Sequence, residues 1–163
     1  MEVQDQKIKK GPDPLDVRIR VLVAVVLSFF LAFAGIADAL YLTIEHYQHQ
    51  ISYCPIFGSG CENVLLSQYS LIMGVPISAL GVLYYLSVMV LMAFYLYRKT
   101  KVVLRLFVYL ATIGALFSVY LFYVQWFLVE SFCFYCMLSA IFSASLFLCA
   151  MIIVWSYKHI LHN

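Results

Sequence analysis

Charge is scarce in this chain. Only 11% of its 163 residues are Asp, Glu, Lys or Arg, against 65% hydrophobic, and a soluble domain of this length cannot hide so much apolar surface. No lysine or arginine occurs from residue 21 to 97 or from 106 to 157. Also missing are a haem-ligand pair, a flavin fingerprint, a Gly-rich nucleotide loop, any internal repeat and any low-complexity tract. The basic residues that do occur flank apolar runs instead of forming a soluble basic face, and with a net charge of +2 this argues for no nucleic acid partner. Four runs fill most of these intervals: Val21–Ile44, Gly74–Tyr97, Leu106–Val129 and Ser131–Tyr157, with Asp38 their one acidic residue. Roughly 20 apolar residues cross a bilayer as a helix. The expected fold class is therefore an all-α membrane protein, a four-transmembrane-helix bundle.

The placement of charge orients it. Lys7, Lys9, Lys10, Arg18 and Arg20 precede the first run, Arg98, Lys99, Lys101 and Arg105 separate the second from the third, and Lys158 follows the fourth. All lie on one side, so the termini and the middle loop are expected in the cytoplasm and residues 46–73 and the turn near 130 outside. A cleaved signal peptide is the competing reading of the first run, since Ala32–Phe33–Ala34 and Ala37–Asp38–Ala39 have the small-residue spacing, but the apolar run is longer than such a segment needs. Residues 1–17, with Gly11, Pro12 and Pro14, read as a flexible cytoplasmic tail, 18–158 as the helical domain and 159–163 as a C-terminal tail. Glu62–Ile72 carries apolar residues at 64, 65, 69, 71 and 72, which predicts a short half-helix on the membrane surface between helices 1 and 2. Pro76 is expected in the first turn of the second span, and the short Arg98–Lys101 link should make spans two and three antiparallel. Gly114, Ala115, Ser118, Ser139, Ala140 and Ser143 offer small faces for close helix approach.

Cysteine carries the chemistry. Cys133 and Cys136 form C-F-Y-C at the start of the fourth span, where the spacing puts both on one helix face and the helix N-terminus favours a thiolate. Cys54 and Cys61 lie in a loop with Pro55, Gly58 and Gly60 on the same expected side. A thiolate attacks a disulfide only by direct contact, so two couples at one membrane face can exchange electrons. A four-thiolate zinc site and two static disulfides stand as alternatives, which would make this a structural or metal-binding membrane protein; a small transporter is a third, poorly served by outer loops without a charged path. The relay is preferred, with no metal expected. Its electrons need an acceptor within the bilayer, and a lipid-soluble quinone is the natural one. Cys149 reads as a buried thiol filling apolar space.

The stretches G-I-A-D-A-L-Y-L-T-I-E-H-Y (35–47), Cys54, G-S-G-C-E-N-V-L-L-S-Q-Y-S (58–70), G-V-P-I-S-A-L-G (74–81) and C-F-Y-C (133–136), in this order, resemble the vitamin K epoxide reductase family in its stand-alone bacterial form. DsbB-type proteins, which place their C-x-x-C in the first outer loop, fit less well. The resemblance spans about residues 18–157 and implies a four-helix bundle with a surface half-helix over a quinone pocket, in the plasma (inner) membrane. It implies that Cys54 exchanges with a partner's thiols, that Cys61 passes electrons to Cys133, and that Cys136 reduces a quinone, ubiquinone or menaquinone. Ser67 would be the family's Ser/Thr near the active site, with Leu65, Tyr69 and Ser78 on the pocket wall. Animal members carry Tyr where this chain has Ala140, which favours simple quinone reduction over vitamin K epoxide. The implied partner is a separate thioredoxin-fold, DsbA-like protein, and the implied activity is a thiol:quinone oxidoreductase that creates disulfides.

Asp38 lies in the first span, where an intramembrane carboxyl is a functional candidate. It either relays protons to the reduced quinone or sits protonated or hydrogen-bonded to a neighbouring helix. His46 and His49 lack a metal-like set of partners and read as interfacial.

Overall fold

A run of two dozen uncharged residues finds no water in a bilayer to satisfy its backbone, and a helix meets that need within the segment itself. In the computed structural model four long helices follow one another: α1 Pro14–Gln48, α2 Ile77–Arg98, α3 Lys101–Tyr123 and α4 Phe134–Leu161. A π-helical turn, Val124–Leu128, continues α3, and two short strands, β1 Leu71–Ile72 and β2 Val75–Pro76, precede α2. The structure describes residues 14–48, 63–64, 70–72 and 74–161. All four helices are long and apolar enough to cross a membrane, so the chain is an all-α membrane bundle, as its composition requires.

The helices close a ring. α1 packs on α2 and α4, and α3 packs on α4 and α2. Val25, Ala32, Val88, Met92, Phe107, Leu146 and Ile153 fill the centre, while Val23, Phe30, Leu83, Ile113 and Leu148 point outward. In a bilayer those outward residues meet lipid, so van der Waals packing between helices replaces the hydrophobic drive of a soluble core. Two glycines permit the tightest approaches. A Cβ on Gly35 of α1 would stand 2.6 Å from the Tyr85 ring of α2, and one on Gly114 of α3 would collide with Tyr84. Hydroxyls in the spans bond backward along their own helices: Ser28 to the Ala24 carbonyl, Thr43 to Ala39, Ser87 to Leu83, Thr112 to Val108 and Ser145 to Ile141, at 2.7–2.8 Å. That habit satisfies a polar group where no water reaches it.

The two ends of the bundle differ in chemistry. The start of α1, the end of α2 and the start of α3 meet at one end with Arg18, Arg20, Arg98, Lys99, Lys101 and Arg105, where the Lys101 ammonium lies 5.9 Å from the Tyr157 ring centre. Lys99 takes a left-handed φ of 50° and its N–H reaches the Tyr95 carbonyl at 2.7 Å, which ends α2 and turns the chain straight into α3. The expected antiparallel packing of these two helices follows. At the other end lie Cys133 and Cys136.

Two local expectations need correction. Within Glu62–Ile72, Asn63 and Val64 are helical, but Leu71–Ile72 pairs antiparallel with Val75–Pro76 and is a strand. The reason is Gly74, whose φ of 82° makes a tight reversal that side chains disfavour; apolar residues suited to a helix face serve equally well in a hairpin. Pro76 accordingly stands in extended backbone (φ −64°, ψ 137°) just before α2 instead of in its first turn. Regular helix also runs past both expected domain edges, from Pro14 and to Leu161.

Candidate functional site

The site is built at the start of α4. The Cys133 carbonyl accepts the Met137 N–H at 3.0 Å, and Phe134 is the first helical residue, so Cys133 occupies the capping position. The Cys136 thiol and the backbone N–H groups of Cys136 and Tyr135 stand where they favour its thiolate, as they would favour a capping oxygen. The Cys136 thiol is the strongest of these influences. Together they hold the Cys133 thiol below its usual value, although burial opposes them. A reactive sulfur is thus placed where backbone donors and the helix dipole stabilise its anion.

The Cys133 backbone is fixed as well. Its N–H donates to Oε1 of Gln125 at 3.0 Å. Gln125 belongs to the π-helical turn, is only 4% exposed, and reaches across the turn that joins α3 to α4. In a capping box the N–H of the capping residue is met by a side chain three positions later; here that position is Cys136, and a glutamine from the preceding helix substitutes. The π turn itself closes with the Val129 N–H on the Val124 carbonyl at 3.0 Å, one residue wider than an α turn, a distortion that recurs at functional sites. Glu130, at φ 52°, completes the reversal.

Cys133 is fully buried against Leu42 of α1, with Val64, Phe134, Tyr135 and Cys136 around it. Two residues past Cys61, Asn63 donates from Nδ2 to the Ser131 hydroxyl at 3.4 Å. The chain just after Cys61 therefore lies against the chain just before Cys133. Cys54, Cys61, Leu65, Ser67, Tyr69 and His49 lie outside the described residues.

Cys136 opens on a cavity of about 320 Å³. From α1 come Ala39, Leu42 and His46; from α2, Ser78, Gly81, Tyr84 and Tyr85; from α3 and its π turn, Gly114, Phe117, Ser118, Leu121 and Gln125; from α4, Ser139, Ala140 and Ser143. The wall is mainly apolar, with a few polar groups, as in a small-molecule site. Tyr85 donates to the Ser139 carbonyl at 2.8 Å and shares a 2.9 Å bond with its hydroxyl. The hydroxyls of Ser78, Tyr84 and Ser143 are buried without a hydrogen bond of good geometry among the described residues, although Tyr84 and Ser143 stand near each other. Buried polar atoms left open in this way suit a ligand that brings its own polar groups. A quinone fits on these terms: a flat apolar ring with two carbonyl acceptors, against a thiol.

Ser78 is the member of the expected pocket wall that falls within the described residues, and it lines the cavity. Gln125, Tyr84, Tyr85, Ser139 and Ser143 were not singled out as site residues from the sequence. The spacing Cys136, Ser139, Ala140, Ser143 was the available signal, because it puts all four on one helix face; their smallness leaves room for the cavity as well as for helix approach. Asp38 is 8% exposed, and neither carboxyl oxygen has a hydrogen bond among the described residues. It lies one turn below Leu42 on α1, within electrostatic reach of both thiols, but off the cavity wall. Cys149 is buried in the central packing, as expected.

Comparison with known families gives a match. The model of the Vitamin K epoxide reductase family matches residues 26–151, which takes in most of α1, all of α2 and α3, and α4 through the dithiol and the cavity wall. No curated protein matches the chain.

Proposed function

The chain belongs to the vitamin K epoxide reductase family, and from that premise we propose that it is a thiol:quinone oxidoreductase that makes disulfide bonds. Membership makes it a membrane oxidoreductase of thiol-dependent quinone chemistry. In the finer reading, a reduced thioredoxin-fold partner, DsbA-like and separate from this chain, gives electrons to Cys54 and Cys61. Cys61 passes them to Cys133. Cys133 and Cys136 then close a disulfide, and the two electrons and two protons released convert the carbonyls of a quinone of the ubiquinone or menaquinone class to hydroxyls.

One observation supports this reading above the others: Cys136 packs against Cys133 on one side and opens on an apolar cavity on the other. The dithiol thus faces both the segment after Cys61, through Val64 and Asn63, and a space suited to a lipid-soluble acceptor. Arg and Lys at the opposite end of the bundle favour a cytoplasmic placement of that end, and so an outer placement of the dithiol in the plasma (inner) membrane. There disulfides persist.

The test is quinone reduction by purified protein driven by a reduced thioredoxin-fold partner. Serine at Cys54, Cys61, Cys133 or Cys136 should each abolish turnover, whereas Cys149→Ser should leave it within about twofold, as expected of a small packing change. Normal turnover by all four single variants would end the relay.

A further inference from the structure

The carboxamide of Gln125 has two ends, and the structure accounts for one. Oε1 accepts the Cys133 N–H at 3.0 Å. Because that partner is a donor, the amide orientation is set by chemistry, and the NH₂ must be the other end. No hydrogen bond of Nε2 occurs among the described residues, Gln125 as a whole is 4% exposed, and it is one of the residues that line the cavity on which Cys136 opens. Unlike the hydroxyls of Ser78, Tyr84 and Ser143, Nε2 is not sealed from its surroundings, so a ligand in the cavity can meet it. An NH₂ group can only donate, and a quinone carbonyl can only accept.

We propose that Gln125 is the residue that registers the quinone against the dithiol: Oε1 holds the Cys133 backbone while Nε2 donates to a carbonyl oxygen of the quinone. This rests on the quinone-reductase reading and adds a specificity to it. The hydroxyls of Ser78, Tyr84 and Ser143 also face the cavity, but none of them bonds to the Cys133 backbone. A single planar group that touches both reactants fixes their separation and relative orientation, which is the geometric requirement for transfer. Gln125 itself gains and loses no proton: the two electrons and two protons leave the thiols as the Cys133–Cys136 bond closes and arrive at the two carbonyl oxygens. The class of ligand selected is a 1,4-quinone small enough for its ring to fit about 320 Å³.

Gln125→Glu separates the two ends. The carboxyl still accepts the Cys133 N–H, but when ionised it has no donor for a carbonyl. Binding of decylubiquinone is read by quenching of tryptophan fluorescence in detergent micelles, and the state of Cys133 by its alkylation rate in a Cys54→Ser, Cys61→Ser background. The variant should bind decylubiquinone about tenfold more weakly than wild type at about pH 8, the worth of one hydrogen bond. The deficit should shrink toward about pH 5.5 as the carboxyl protonates and regains a donor, and at that pH, with the carboxyl neutral, Cys133 alkylation should match wild type. The other titratable groups on this wall are His46 from α1, Tyr84 and Tyr85 from α2 and Cys136 from α4; they are common to both proteins, so the ratio of affinities at each pH isolates residue 125. Gln125→Met should lose affinity at every pH and alter Cys133 alkylation; if it fails to fold, Gln125→Glu carries the test alone. Wild-type affinity in Gln125→Glu at about pH 8, or a pH-independent loss that tracks a change at Cys133, overturns the assignment. A wild-type protein that binds no quinone overturns instead the reading beneath it.

Discussion

At the scale of single residues the dithiol owes its asymmetry to its place on the helix. Cys133 caps α4 and collects three donors, the Cys136 thiol foremost, whereas Cys136 sits inside the helix and meets the cavity. The Cys133 value is lower in the fold than in the unfolded chain. Its thiolate therefore stabilises the dithiol form above the unfolded value, and that contribution is lost as pH falls through the folded one. In a Cys54→Ser, Cys61→Ser background, the pH midpoint for alkylation of Cys133 should lie below the ordinary thiol value of about 8.5. Adding Cys136→Ala should move it upward, because the principal donor is gone; an unmoved midpoint would show that the backbone donors alone set it. Asp38 is the contrasting case. A buried carboxyl without a hydrogen bond among the described residues weakens the fold, so Asp38→Leu should raise the thermal midpoint in detergent, by about 1–3 kcal/mol of stability. The C-x-x-C pair was legible in the sequence because its signal is local. The role of Gln125 was not: it acts eight residues away across a turn, and nothing in its neighbours marks it.

At the scale of elements the site depends on how α1 and α2 meet. Gly35 lets the Tyr85 ring lie on the α1 backbone, and from there the hydroxyl spans to Ser139 on α4. Three helices are tied through one side chain. Gly35→Ala would bring a methyl to 2.6 Å from a ring already anchored at its far end, so ring or helix must shift. The expected loss is about 1–3 kcal/mol, typical of overpacking, read as a lowered thermal midpoint. Tyr85→Phe keeps the ring and removes only the bonds to Ser139, so the loss should be smaller, about 0.5–1.5 kcal/mol by the measure of bonds between membrane helices. Equal losses would argue that the ring contact matters little. Long apolar helices were readable from the absence of charge alone. The Leu71–Ile72 hairpin was not, since two apolar residues beside a half-helix pattern do not announce their period, and the reversal at Gly74 decides it.

At the scale of the whole molecule, basic residues gather at one end of the bundle and the dithiol at the other, with a cavity between all four helices near the dithiol end. This polarity was written in the spacing of Lys and Arg, which needs no tertiary information. The cavity was not, because it arises from four helices contributing small or ring-shaped residues at one level. The central claim is that electrons cross from the loop pair to the helix pair through Cys61 and Cys133. Its most direct measurement is peptide mass spectrometry of a Cys54→Ser, Cys136→Ser protein after mild oxidation, which leaves Cys61, Cys133 and Cys149 to pair. A bridge between Cys61 and Cys133 within one chain is the expected product. Cys61 and Cys133 both remaining open to alkylation, or bridged only between molecules, would contradict the relay.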